Sequence, residues 1–76
     1  MLDVVYLYEA YHERELSWLS RRLNSPDDVQ DVLANAYLHA VQHLQKEPDV
    51  KNSAAWFRSL VHNSWIDLLR YRSRDK

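Results

Sequence analysis

The sequence predicts an all-α fold, a bundle of three helices, and three observations lead there. Glycine is absent and the only prolines are Pro26 and Pro48. Tight turns and strand bulges lean on glycine's freedom at positive φ, so an all-β fold is disfavoured and glycine-rich phosphate loops are excluded. Leu, Ala and Arg, all good helix formers, are abundant. Apolar residues recur at helical spacing in three stretches, separated by two polar breaks that each contain a proline.

The first helix is expected from about residue 2 to residue 23. Val4, Tyr8, Tyr11, Leu16, Leu19 and Leu23 recur at helical spacing, and Asn24-Ser25-Pro26 ends the pattern. The second helix, 26–45, has the clearest start. Ser25 is a capping residue, Pro26 suits the first helical position, and Asp28 stands where a capping-box acid belongs. Its stripe of Val29, Val32, Leu33, Ala36, Tyr37, Ala40, Val41 and Leu44 predicts a helix packed against both others. The segment QKEPDVKNS is polar and reads as a loop. Asn52 or Ser53 can cap the third helix, 53–72, whose Trp56, Phe57, Leu60, Val61, Trp65, Ile66, Leu68 and Leu69 cover more than one face. The basic tail YRSRDK is expected to fray.

With 76 residues the chain is one domain, and a domain this small is marginally stable alone. It lacks cysteine, which excludes disulfides and thiolate zinc sites and fits a cytoplasmic setting. No apolar run approaches the roughly 20 residues that span a bilayer. No signal-peptide layout opens the chain.

The net charge is −1, yet the charges are unevenly spread. Residues 1–50 hold four basic and nine acidic side chains, residues 51–76 six basic and two acidic. Such polarity suggests two partners, one of them polyanionic. The same pattern would arise if acids near helix starts and bases near helix ends merely complemented the helix dipoles.

Enzymatic chemistry is not expected, nor a cofactor. His39, His43 and Glu47 share a helix face at four-residue spacing, which superficially resembles a metal site but reads better as a solvated face. His12 and His62 have no evident nucleophile or base partner, and Asp27, Asp28 and Asp31 suit a helix start. The third helix carries more information. Arg58, His62, Asn63, Arg70, Arg72 and Arg74 interleave with Trp56, Trp65 and Tyr71. Cations for phosphates, rings for unpaired bases and an amide for base edges suit single-stranded DNA, although a core helix with an arginine-rich end would look the same.

The segment SPDDVQDVLANAYLHAVQHL resembles region 2.2 of bacterial sigma factors of the extracytoplasmic-function (ECF) type, in register at Asp31, Val32, Leu33, Tyr37 and Leu38. AAWFRSLVHNSWIDLLRYRSR resembles regions 2.3 and 2.4 at Ala55, Trp56, Asn63, Ile66, Asp67 and Arg70. The first helix is similar to regions 1.2 to 2.1 through Tyr8, Leu16, Leu19, Arg21, Arg22 and Leu23. The resemblance spans nearly the whole chain and implies a bundle of sigma factor region 2 type, with region 4 absent. It implies two surfaces. The second helix would bind the coiled coil of the RNA polymerase core subunit β′ through Asp28, Gln30, Asp31 and Asn35. The third helix and the loop before it would melt and hold the promoter −10 element as single-stranded DNA. There Asn63 would line a flipped-base pocket, while Arg58, His62, Arg70, Arg72 and Arg74 held phosphates or adjacent bases.

The chain departs from the family pattern in four places. Ala34-Asn35 replaces the usual Gln-Glu pair, the loop lacks its usual glycine and aromatic residue, Trp65 fills a position usually small or aliphatic, and His62 stands where a basic residue is usual. These departures leave open a second expectation, a stand-alone protein-interaction module with little DNA contact. It would bind polymerase, a partner sigma subunit, a separately encoded region 4 protein or an anti-sigma factor.

Overall fold

The computed structural model describes residues 2–74, without the side chain of Arg74. Three helices follow one another: α1 (Val4–Ser20), α2 (Pro26–Lys46) and α3 (Ser53–Arg74). The molecule measures 42 × 23 × 17 Å. Its helices run up, down and up, as the pairs that meet across them show. Tyr8 lies against Tyr37 while Leu16 and Leu23 border Val29, so α1 opposes α2. His43 faces Trp56 while Asp28 pairs with Arg72, so α2 opposes α3. Tyr11 meets Ser53 and Trp18 meets Trp65, so α1 and α3 run in the same direction.

Local chemistry fixes the helix ends. The Asp3 carboxylate accepts from the Tyr6 N–H at 2.9 Å, so α1 starts at Val4, two residues later than the periodicity suggests. It also stops earlier, at Ser20. The N–H groups of Arg22 and Leu23 both return to the Leu19 carbonyl, and this turn swings Leu23 under the bundle, where it is buried. At α2 the Ser25 hydroxyl accepts from the Asp28 N–H and Pro26 opens the helix. Asn52 caps α3 by accepting from the Ala55 N–H at 3.1 Å. The expected fraying of the tail is corrected at its near end. Tyr71 through Arg74 continue α3, and the Arg72 guanidinium is tied to Asp28 at the start of α2.

The core gathers Leu7, Leu19 and Leu23 of α1 and the turn after it, Val29, Val32, Leu33, Ala36 and Ala40 of α2, and Phe57 and Val61 of α3. Phe57 is fully buried under the rings of Tyr11 and Tyr37, at 6.5 and 5.0 Å between centroids. Burying such a ring stabilises the fold by roughly 1.5–3 kcal/mol. The stripe read on α2 is the core stripe, with Val41 at its exposed rim. On α1 the reading differs. Leu7 is buried whereas Tyr8 is mostly exposed, because Leu7 shares the inward side of the helix with the buried Glu15 and Leu19, at multiples of four residues.

The core also holds a charge. Glu15 is 0% exposed. One of its oxygens accepts from Arg14 Nε at 2.7 Å and the other from Arg58 Nε at 2.6 Å. Among the described residues none has a positive φ.

Candidate nucleic-acid and polymerase interfaces

Side chains three, four and seven residues apart share a helix face. On α3 the residues opposite the Phe57–Val61 core side form an exposed row that includes Ser59, His62, Asn63 and Arg70. Asn63 and Arg70 are seven residues apart, hence on one side and about 10 Å from each other along the axis. Among the described residues, no ion pair involves Arg70 and no side-chain hydrogen bond involves His62, Asn63 or Arg70. An amide and a guanidinium in this state can both donate to a phosphate or a base edge.

The other basic candidates on α3 are engaged inside the protein. Arg58 donates its Nε to Glu15 and lays its guanidinium over the Trp18 ring at 5.2 Å. Arg72 is bonded to Asp28. The side chain of Arg74 lies outside the described residues. Of the six residues predicted for DNA, the structure therefore groups His62, Asn63 and Arg70 on one free face. It turns Arg58 toward α1 and Arg72 toward α2.

The residues predicted for polymerase also divide. Asp31 and Asn35 are exposed and line a shallow groove between α2 and α3, with Asp67 and Tyr71 on its far wall. Gln30 is exposed on the other flank. With Ala34 it borders a cleft of about 460 Å³ between α1 and α2, whose walls are Val4, Val5, Tyr8, His12, Leu33 and Tyr37. Asp28 sits at the helix start, occupied by Arg72. The exposed ridge of α2 is thus acidic and amide-bearing toward α3 and apolar toward α1.

Inside that cleft His12 Nδ1 and the Tyr37 hydroxyl are 2.7 Å apart, and the His12 ring stacks on Tyr8 at 4.2 Å. Burial pushes the Tyr37 phenol up to about 12, with Tyr8 and Glu15 adding to the shift. The other histidine group also has a local explanation. His43 lies 3.6 Å from Glu47 and faces the Trp56 ring.

Sequence reading missed the residues that join α1 to α3. Tyr11 shares a hydrogen bond with Ser53 at 2.7 Å, Arg14 donates to the Ala54 carbonyl at 3.0 Å, and Glu15 holds Arg58. Nothing in the linear pattern marks Glu15 as buried. Its one signal is position, four residues before Leu19 on the side that faces the core.

Among the described residues no helix is long and apolar enough to cross a membrane. Comparison with curated proteins and with solved structures gives no match. A family model described as Sigma-70 region 2 matches residues 7–75, which takes in α1 from Leu7 onward and the whole of α2 and α3. With that match over nearly its full length, on an all-α three-helix fold, the chain belongs to the sigma-70 region 2 family, a non-enzymatic family of transcription-initiation domains whose partners are RNA polymerase and promoter DNA.

Proposed function

We propose that the domain joins the RNA polymerase core to the promoter, holding the β′ coiled coil on α2 and the −10 element as single-stranded DNA on α3. The observation that carries this reading is the free face of α3. Asn63 and Arg70 stand on one side of the helix with no partner among the described residues, beside His62. The amide reads a base edge, the guanidinium holds a phosphate two turns away, and Tyr71, exposed in the same segment, offers a ring for stacking. On α2, Asp31 and Asn35 present a carboxylate and an amide to a helical partner, with Gln30 on the flank. Such work belongs in the cytoplasm.

Two substitutions test the two surfaces. Asn63→Ala should lower the preference for a −10-like single strand over a scrambled one by about 1–3 kcal/mol, the worth of a good base contact, and leave the salt dependence unchanged. Asp31→Arg should weaken binding to polymerase core. A wild-type protein that does not distinguish the two strands removes base reading. An unchanged core affinity removes the assignment of α2.

One observation favours a second reading, a protein-interaction module for polymerase, a partner sigma subunit, a separately encoded region 4 protein or an anti-sigma factor. Arg58 and Arg72 spend their charge on Glu15 and Asp28, which thins the cationic supply for DNA. Core binding with no strand shift in a gel assay would decide for it.

A further inference from the structure

The cleft of about 460 Å³ between α1 and α2 is built without any residue of α3, so it stands apart from the face read for DNA. Its volume lies toward the lower end of the ~300–1,000 Å³ usual for small-molecule sites. Three of its lining side chains are rings. His12 stacks on Tyr8 at 4.2 Å and 24°, and Tyr37 lies 5.9 Å from His12 at 20°. Tyr8 remains 55% exposed, so His12 covers only part of that ring. Leu33 and Ala34 add an aliphatic side. Among the described residues no acid, lysine or arginine lines the cleft. Two polar groups interrupt this apolar lining. The Tyr37 hydroxyl engages His12 Nδ1 at 2.7 Å, and Nε2 of the same ring has no partner among the described residues. Gln30 is exposed, and among the described residues its amide makes no hydrogen bond. A free primary amide offers an acceptor beside a donor, an edge that pairs with a group offering the same two in reverse.

We propose that this cleft is a small-molecule site for an uncharged, flat, bicyclic nitrogen heterocycle whose N–H and carbonyl lie side by side. Each part of that description follows from the lining. A charged ligand would surrender its water to walls that carry no opposite charge, a loss the cleft does not offset. A flat ring gains offset stacking on Tyr8, which an aliphatic molecule of equal size does not. The adjacent N–H and carbonyl match the Gln30 amide two for two, and His12 Nε2 is left for one further polar contact. The bond between Tyr37 and His12 ties the α1 wall to the α2 wall before any ligand arrives, so little ordering is lost on binding. The site depends neither on the reading of α3 as the DNA side nor on that of α2 as the polymerase side.

The probe is carbostyril, a fused aromatic bicycle with a lactam edge. Caprolactam, which keeps the lactam and lacks the aromatic ring, is the comparison. Backbone amide NMR shifts of the isotope-labelled full chain are followed as each compound is added. Carbostyril should move the signals of Tyr8, Gln30 and Ala34 saturably and leave those of Asn63 and Arg70 in place. Caprolactam should bind several-fold more weakly. Gln30 and Tyr8 are exposed, so Gln30→Leu and Tyr8→Leu remove the amide and the ring without opening the core, and unchanged signals from the core residues show that each variant is folded. Each variant should weaken carbostyril binding several-fold. The proposal is overturned by the absence of a saturable shift in the cleft, by equal affinity for the two compounds, or by an unchanged affinity in either variant. Movement of the same signals when the protein alone is diluted assigns the cleft to a second copy of the chain and overturns it as well.

Discussion

A carboxylate enclosed by protein loses the water that stabilises its charge, and Glu15 recovers that loss through two guanidiniums. The partners are not equivalent to it. Arg14 and Arg58 remain 42% and 37% exposed at their side chains, so each can turn to water when Glu15 is removed, whereas Glu15 cannot. Removing the acid and removing a base should therefore differ. Glu15→Gln is expected to cost about 1.5–3 kcal/mol, the worth of hydrogen bonds to a charged group. Arg58→Met strips the buried carboxylate of one of its two partners and should cost more, toward about 3–5 kcal/mol. Urea unfolding of the two variants checks the order, and a milder Arg58→Met would show that the enclosed charge does not set the energetics. None of this was legible in the sequence. A glutamate next to an arginine reads as surface, and the partner that changes its meaning lies 43 residues away. Asn63 was legible through its amide chemistry and the family resemblance rather than through periodicity, since the apolar residues of α3 cover more than one face, and the structure leaves it exposed.

At the level of elements, what could be read depended on whether the signal was local. The start of α2 rests on Ser25 and Pro26, neighbours in sequence, and appears where they place it. The core stripe of α2 was equally plain, since i, i+3, i+4 spacing held for about four turns can bury only one side. The ends of α1 rest on the Asp3 cap and on the turn at Leu19 to Leu23, local contacts that periodicity does not register, whereas the last turn of α3 rests on an ion pair to another helix. The contact between α1 and α2 carries its own pH signature. Tyr37 is bonded to His12 and its phenol lies near 12, above the ordinary 10.0. A group whose folded value is raised contributes stability that is complete below its unfolded value and is lost as pH rises through the folded one. Alkaline unfolding should therefore steepen between pH 10 and about 12. Tyr37→Phe should lower stability at neutral pH by about 0.5–1.5 kcal/mol through the lost hydrogen bond and flatten that alkaline fall, as circular dichroism at stepped pH would record.

For the whole molecule, charge counted along the chain and charge arranged in space tell different stories. The first half is acidic by composition, yet folding carries its Arg14 and Arg22 to the side of Arg58 and sends Asp28 across to Arg72. The polarity seen in the sequence is therefore redistributed, with bases of the acidic half beside Arg58 and an acid of that half bonded to Arg72. Arg72 and Asp28 pair across the contact between α3 and α2. Their pair is half exposed at the arginine, so Arg72→Gln should change stability by no more than about 1 kcal/mol, with the difference shrinking as salt is added. Thermal unfolding at two ionic strengths measures it, and a larger, salt-insensitive loss would mean that the pair is shielded from water.

No described residue occupies the left-handed region of backbone space, and the sequence contains no glycine. Outside the two prolines, every described backbone conformation is therefore one that alanine adopts without steric cost. Each alanine replacement at a described position outside the prolines would report side-chain contacts, free of the backbone strain that complicates such scans where turns demand special residues. A mutational map of this domain therefore reads directly as a map of its side-chain contacts.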